Sequence, residues 1–325
     1  LKLTFVLDHF IPWKAGTEHQ LSMLLSGLPR DWQVSIVVFR DSEWLDSHAG
    51  EFNVSVSVIR INNFRSLATY ANIFKLVSSL RIGSPDIVHT FFPVANIIGV
   101  VAARMAGVKQ IISSRRDYGE WMTPRYLRAT RFANHFTTGV ITNSGEVRQM
   151  SHEVESLPLD QIRVIANGID VDRFLNLPDR RECREQLGLS DNDMVVGLVA
   201  NFRPMKRQQT LIRAAALLAQ DFPEARYLLI GTNATEEDIR SQLQRLAKDL
   251  GVSDKVRFEH SNEDIRRYLA ALDIGVNCSE GEGLSNAIME YMASGLPCIV
   301  ANSGGNPDLV TDGKDGLLFE VDEAE

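Results

Sequence analysis

The chain has 325 residues, 44% hydrophobic and 23% charged, a composition that builds cores and excludes a disordered, collagenous or low-complexity chain. Its length predicts about two domains. The net charge of −8 is uneven: residues 1–168 hold 17 Lys and Arg against 14 Asp and Glu, a net of +3, and the remaining 157 hold 17 against 28, a net of −11, so the broad positive charge of a nucleic-acid coat is excluded.

In chain order the pattern is a short apolar strand, a turn and an amphipathic helix. Strands are predicted over 3–7, 32–39, 54–61, 87–90, 110–113, 139–143 and 163–165. Helices are predicted over 18–28, 70–80, 93–106, 123–136 and up to about 156. The second half repeats the plan. Its strands are predicted over 194–200, 226–230, 256–258, 274–278, 298–301 and 316–321, its helices over 208–221, 236–250, 262–272 and 286–294. Such alternation argues for parallel sheets covered on both faces. The expected fold is α/β: two doubly wound domains, 1–170 and 191–325, joined by a linker over 171–190. The break near 167–181 is polar, holds Gly168 and Pro178, and lacks strong periodicity. In open α/β sheets ligands sit outside the carboxyl ends of the strands. Two such sheets facing across a cleft would share one site.

No stretch reaches the ~20 apolar residues of a membrane helix; the best run, 97–108, contains Arg104. The first residues read as a strand rather than a signal peptide, and both ends read as trimmed. Cys183, Cys278 and Cys298 follow no metal spacing and read as reduced core thiols of a cytosolic protein. No metal and no cofactor are expected.

The most informative segment runs from Ser279 to Pro297. A strand ends near Cys278, a Gly-containing loop follows, and a helix begins near Ser285. The amides of Leu284, Ser285 and Asn286 would lie at a helix N-terminus, a ready site for a phosphate. Glu282 precedes the helix and Glu290 lies within it. Carboxylates accept well from hydroxyls, so one Glu on a ribose diol and one on sugar hydroxyls would suit a nucleotide sugar. Spacing alone leaves both open as solvated or capping residues. Arg203 and Lys206 follow the strand of 195–200 in the half of net −11. They read either as surface cations or as the charge that stabilises a departing diphosphate; Arg207 adds a further charge.

Gly16 lies in the turn between the first strand and helix, where backbone can approach a ligand. His89 ends a buried strand and reads as a packed residue or as one that meets a substrate. Arg115 and Arg116, at a strand's carboxyl end, are candidates for an acceptor or phosphate contact. Residues 104–148 carry eight Lys and Arg against three acids, with Tyr118, Trp121, Met122, Tyr126 and Phe132. That combination suits an anionic leaflet or a lipid pyrophosphate, and equally a solvated helix. Asn233 follows the strand ending near 230, and His260 lies on a loop, where it reads equally as an exposed residue or as one that stacks on a base.

The string from Glu282 to Pro297 resembles the donor-site signature of glycosyltransferase family 4, in which two Glu flank seven residues. Other segments match in order: Ala15–Leu21, Pro85–Thr90, Ser114–Asp117, Ile165–Asp170, Asn201–Lys206 and Asn302–Val310 with Gly313 and Gly316. The resemblance implies the two-domain GT-B fold and a retaining, metal-independent transfer of a hexose from a UDP- or GDP-sugar. It implies Glu282 on the sugar hydroxyls, Glu290 on the ribose, and Arg203, Lys206 and the Leu284–Ser285 amides on the diphosphate. It places Gly16 near phosphate and acceptor, and the loops of Asn233 and His260 near the nucleotide. Ala15 stands where relatives have a second Gly, and His19 where Arg is common. Phe91 stands where many have the second His of a His-x-His, so either His89 serves or the sugar packs on Phe91. The implied acceptor is a saccharide or lipid-linked saccharide, as in bacterial polysaccharide or glycolipid synthesis, with an anionic membrane surface as a further partner and no nucleic acid. Relatives continue into further helices that cross back to the first domain; the chain reads as lacking them. A nucleotide-sugar epimerase, or a non-catalytic nucleotide-sugar-binding subunit, is the alternative.

Overall fold

A computed structural model describes residues 1–10, 16–41, 54–61, 66–119, 122–233, 238–260 and 264–321. Ala15 and Trp121, both named above, lie outside the described residues. The chain divides into two compact units, Leu1–Gly168 and Ile169–Glu325.

The first unit runs β1 (Lys2–Leu7), α1 (Gly16–Gly27), β2 (Gln33–Val38), β3 (Ser55–Val58), α2 (Leu67–Gly83), β4 (Ile87–Phe91), a π-helical turn (Ala95–Gly99) leading into α3 (Val100–Ala106), β5 (Gln110–Arg115), α4 (Pro124–Asn134), β6 (Gly139–Thr142), α5 (Gly145–Glu155) and β7 (Ile162–Val164). The seven strands are parallel in the order β3-β2-β1-β4-β5-β6-β7. β1 is an almost unbroken apolar run, and Phe5, Val6 and Leu7 are fully enclosed, as a central parallel strand with two covered faces requires. Caps fix the helix starts. Thr123 accepts from the Tyr126 amide ahead of Pro124 in α4, and Ser144 accepts from the Val147 amide in α5. The helix expected over 93–106 is split: its first turn is π-helical.

The second unit runs α6 (Asp172–Leu175), α7 (Arg180–Gln186), β8 (Met194–Val199), a 3-10 turn (Pro204–Lys206), α8 (Gln208–Leu217), β9 (Ala225–Ile230), α9 (Ile239–Asp249), β10 (Val256–Glu259), α10 (Ile265–Ala271), β11 (Ile274–Asn277), α11 (Asn286–Ala293), β12 (Cys298–Ala301) and β13 (Leu317–Phe319). Its six strands are parallel in the order β10-β9-β8-β11-β12-β13, the dinucleotide-fold order with its reversal between β8 and β11. The segment 171–190, expected as a linker, folds into α6 and α7. Phe174, Cys183, Leu187 and Leu189 enter the core beside Leu228, Tyr268 and Leu272. Burying each large apolar side chain there contributes roughly 1.5–3 kcal/mol, which holds the segment to this unit. Among the described residues no helix is long and apolar enough to cross a membrane.

Candidate functional site

In the second unit the loop after β8 meets the loop after β11. Arg203 opens the 3-10 turn in extended conformation, and Arg207 closes it at φ 45°. The two loops are tied by the Glu280 amide donating to the Met205 carbonyl (2.8 Å) and by Arg207 against the Glu280 carboxylate (3.0 Å). This turn carries Lys206 to Glu282, where Nζ contacts Oε1. The two residues read as phosphate and sugar contacts therefore touch each other. Burial, and then Arg203, push the Lys206 ammonium down to about 7; the carboxylate against it acts in the opposite sense and preserves its charge while the pair is made.

Glu282 is held from several sides. The Ser279 hydroxyl donates to Oε1 (2.8 Å), and the Glu282 carbonyl accepts from the Gly305 amide (2.9 Å). Gly304, at φ 64°, presses its backbone on Glu282 so closely that any Cβ would overlap the Glu282 carbonyl. The Gly281 amide donates to the Ser303 hydroxyl (3.0 Å). The Gly-Gly segment after β12 is thus the mould in which the Glu282 loop is cast.

Ser285 occupies the N-cap of α11, yet its hydroxyl does not cap the helix; it bonds the Asn277 amide group (3.0 Å). Leu284 and Ser285 are buried, so any anion would meet their backbone rather than their side chains. Glu290 lies further along α11, partly accessible. Desolvation pushes its carboxyl up to about 7, against the opposing charge of Arg173.

Asn233 and His260 are drawn to α9. The Asn233 side chain donates to Asp238 (3.0 Å) and accepts from the Arg240 amide (3.2 Å). The Arg240 guanidinium meets His260 Nε2 (2.6 Å), and the Tyr268 hydroxyl donates to the His260 carbonyl (2.9 Å). Both side chains make these contacts within the second unit and remain exposed.

In the first unit, Gly16 is the first residue of α1. His89 is 8% exposed, with Nε2 2.8 Å from the Ser114 hydroxyl and its ring 4.4 Å from that of Phe91. Burial, then the Arg116 charge, lower it to about 3. His89 is a neutral interior residue, and Phe91 is buried beside it. Arg115 is buried rather than placed on an acceptor surface. Its guanidinium is enclosed by Glu155 (2.7 Å), Ser113 (3.0 Å) and Asn134 (2.9 Å) at 7% exposure, which leaves it no surface for an acceptor. Arg116 is more open. It contacts Asn167, and burial lowers it to about 10.

Three residues escaped the sequence reading: Asp8 and His9 after β1, and Phe92 after β4. Asp8 caps the helix start beyond β4, accepting from the Val94 (3.1 Å) and Ala95 (2.6 Å) amides. Burial pushes its carboxyl up although those bonds oppose the shift. An acid directly after a central strand was the available signal.

Comparison with known proteins agrees with this architecture. The family model for Glycosyltransferase Family 4 matches residues 15–173, and that for Glycosyl transferases group 1 matches 179–325. The chain is 28% identical over 293 residues to the UDP-Gal:alpha-D-GlcNAc-diphosphoundecaprenol alpha-1,3-galactosyltransferase of Escherichia coli, covering 87% of this chain and 74% of that one. It is 27% identical over 334 residues to the GDP-mannose-dependent alpha-(1-6)-phosphatidylinositol monomannoside mannosyltransferase of Mycolicibacterium smegmatis, covering 98% and 85%. Among solved structures, Anabaena HepE in complex with UDP superposes with a TM-score of 0.85 at 25% identity, covering 98% of this chain and 86% of that one. With one family matched in each unit and both sheets wound as they are, the chain belongs to the GT-B glycosyltransferases of the family 4 type, enzymes that use a nucleotide sugar.

Proposed function

We propose that this chain moves a hexose, with retention at the anomeric carbon and without a metal ion, from a UDP- or GDP-sugar to a hydroxyl of a saccharide or lipid-linked saccharide. The observation that carries the reading is the meeting of Lys206 with Glu282, beside Arg203 and ahead of α11. Lys206, Arg203 and the Leu284–Ser285 amides bind the diphosphate and stabilise the charge that develops as the sugar–phosphate bond breaks. Glu282, released from Lys206, accepts from sugar hydroxyls, and Glu290 accepts from the ribose. The departing phosphate guides the incoming hydroxyl to the face it leaves. The relatives' names support a UDP or GDP donor and a lipid-linked acceptor. An anionic membrane suits the first unit: Arg125, Arg128, Arg131 and Phe132 of α4 are exposed, and α4 holds no acid.

A panel of UDP-, GDP- and ADP-sugars tested by thermal shift checks the reading, because a bound donor raises apparent stability. A UDP- or GDP-sugar should raise the midpoint and be slowly hydrolysed to its nucleotide. A shift from none of the panel overturns the proposal.

A further inference from the structure

We infer that the first unit carries a second ligand site, a pocket at the amino edge of its sheet that takes a phosphomonoester. The site goes beyond sugar transfer and stands apart from it. It lies at the starts of β5 and β6, whereas open α/β sheets take their substrates at the carboxyl ends of the strands.

Two loops build the pocket. One joins α3 to β5 and the other joins α4 to β6. These strands are neighbours in the sheet, so the loops run side by side and enclose a cavity of about 310 Å³. Small-molecule sites span roughly 300–1,000 Å³, so the cavity has room for a phosphate with a small organic group. Its walls are fixed from within. Gly107, at φ 89°, closes α3 by donating its amide to the Arg104 carbonyl (3.1 Å), and the Val108 amide reaches the Ala103 carbonyl (3.0 Å). Thr138 stitches the two strand starts together: its amide donates to the Ile111 carbonyl (2.8 Å), and its hydroxyl accepts from the Ile111 amide (3.0 Å). Phe136 lines the pocket, braced edge-on by Phe132 at 5.3 Å. Walls held in this way lose little freedom when a ligand enters.

Charge selects the ligand class. Arg104, Lys109 and His135 line the pocket, and no Asp or Glu lines it among the described residues. The ion pairs described in the first unit, His9–Glu18, Arg60–Asp41 and Arg115–Glu155, do not involve these three. The carboxyl ends of α3 and α4 oppose an anion here, at roughly half a negative charge each. Their sum of about −1 is outweighed by the two permanent cations.

His135 favours a monoester over a diester. Its Nδ1 lies 2.8 Å from the Arg131 carbonyl. A carbonyl only accepts, so Nδ1 carries the proton and Nε2 is the nitrogen left for a ligand. A phosphomonoester loses its second proton near pH 6, so it meets that nitrogen in either form. Its P–OH donates to the neutral ring, and its dianion accepts from the protonated one. A diester has no P–OH to give and carries one charge fewer.

The test titrates inorganic phosphate into the full chain carrying ring-labelled histidine. Chloride holds the ionic strength, and His135→Gln identifies the His135 signal by its loss. That resonance should move and saturate. The double variant Arg104→Gln with Lys109→Gln should weaken the response about tenfold, the summed worth of two exposed ion pairs. Its thermal shift with UDP-glucose should match the wild type, which shows that it folds and that the donor residues are untouched. An unmoved His135 resonance at about 10 mM phosphate, tenfold above a millimolar dissociation constant, overturns the inference. So does a response that the double variant keeps in full. Two further arms identify the source of the phosphate. Glucose 6-phosphate probes a soluble ester, and flotation on phosphatidic acid against phosphatidylglycerol vesicles of equal total charge probes a lipid headgroup. Tighter binding of glucose 6-phosphate than of inorganic phosphate assigns a soluble ligand. A preference for phosphatidic acid that the double variant loses assigns a lipid. Inorganic phosphate bound with neither result overturns the site as one for an ester.

Discussion

Burial and Arg203 leave the Lys206 charge supported mainly by Glu282, so removing either residue disturbs both. Lys206→Ala should lower kcat by about 10²–10³, the usual loss for one preorganised group facing developing charge, as read by nucleotide release. Glu290 gives a pH signature. Its carboxyl titrates near 7 in the folded chain against an ordinary 4.5, so between those values the folded state holds a proton that the unfolded state has released. Stability therefore falls as pH rises through that window. Glu290→Gln should flatten this dependence in denaturant melts at pH 5 and pH 8. The Glu282 and Glu290 pair was legible because its pattern is local. The burial of Arg115 was not, because Glu155 stands 40 residues away and Asn134 stands 19 away.

Among the elements, α11 is the one whose placement sets Glu290 and the Leu284–Ser285 amides. Tyr291 locks it to the sheet: its hydroxyl accepts from the Val199 amide (2.8 Å) and donates to the Val276 carbonyl (3.3 Å). Its ring fills the space above Gly275, where an added Cβ would lie 2.5 Å from Cγ. Gly275→Ala should therefore cost about 1–3 kcal/mol, seen as a lower melting midpoint together with weaker donor binding. Long periodic segments and apolar strands were readable in advance, since burial of one face dictates their spacing. α6 and α7 were not. They span four and seven residues, too few turns to display a helical period, and the second is mostly charged. Tertiary packing of Phe174 and Cys183 makes them helices.

At the scale of the molecule, the two units differ in charge, +3 against −11 on the division at Gly168. The basic face of the first unit should carry the chain to vesicles containing phosphatidylglycerol but not to phosphatidylcholine vesicles, and 0.5 M salt should release it, given a Debye length of about 4 Å under those conditions; flotation measures both. In the acidic unit the key cations are already spoken for, Lys206 by Glu282 and Arg207 by Glu280. On the proposed reading, donor binding would therefore be an exchange of partners rather than the filling of an empty seat. A diphosphate that takes Lys206 leaves Glu282 in need of hydroxyls, and the attached sugar provides them. Once the sugar has moved on, the spent nucleotide leaves that carboxylate wanting, and the internal pair closes again in its place. On that reading the contact would act as a return spring, favouring the loaded donor over the bare nucleotide and clearing the site for the next turnover.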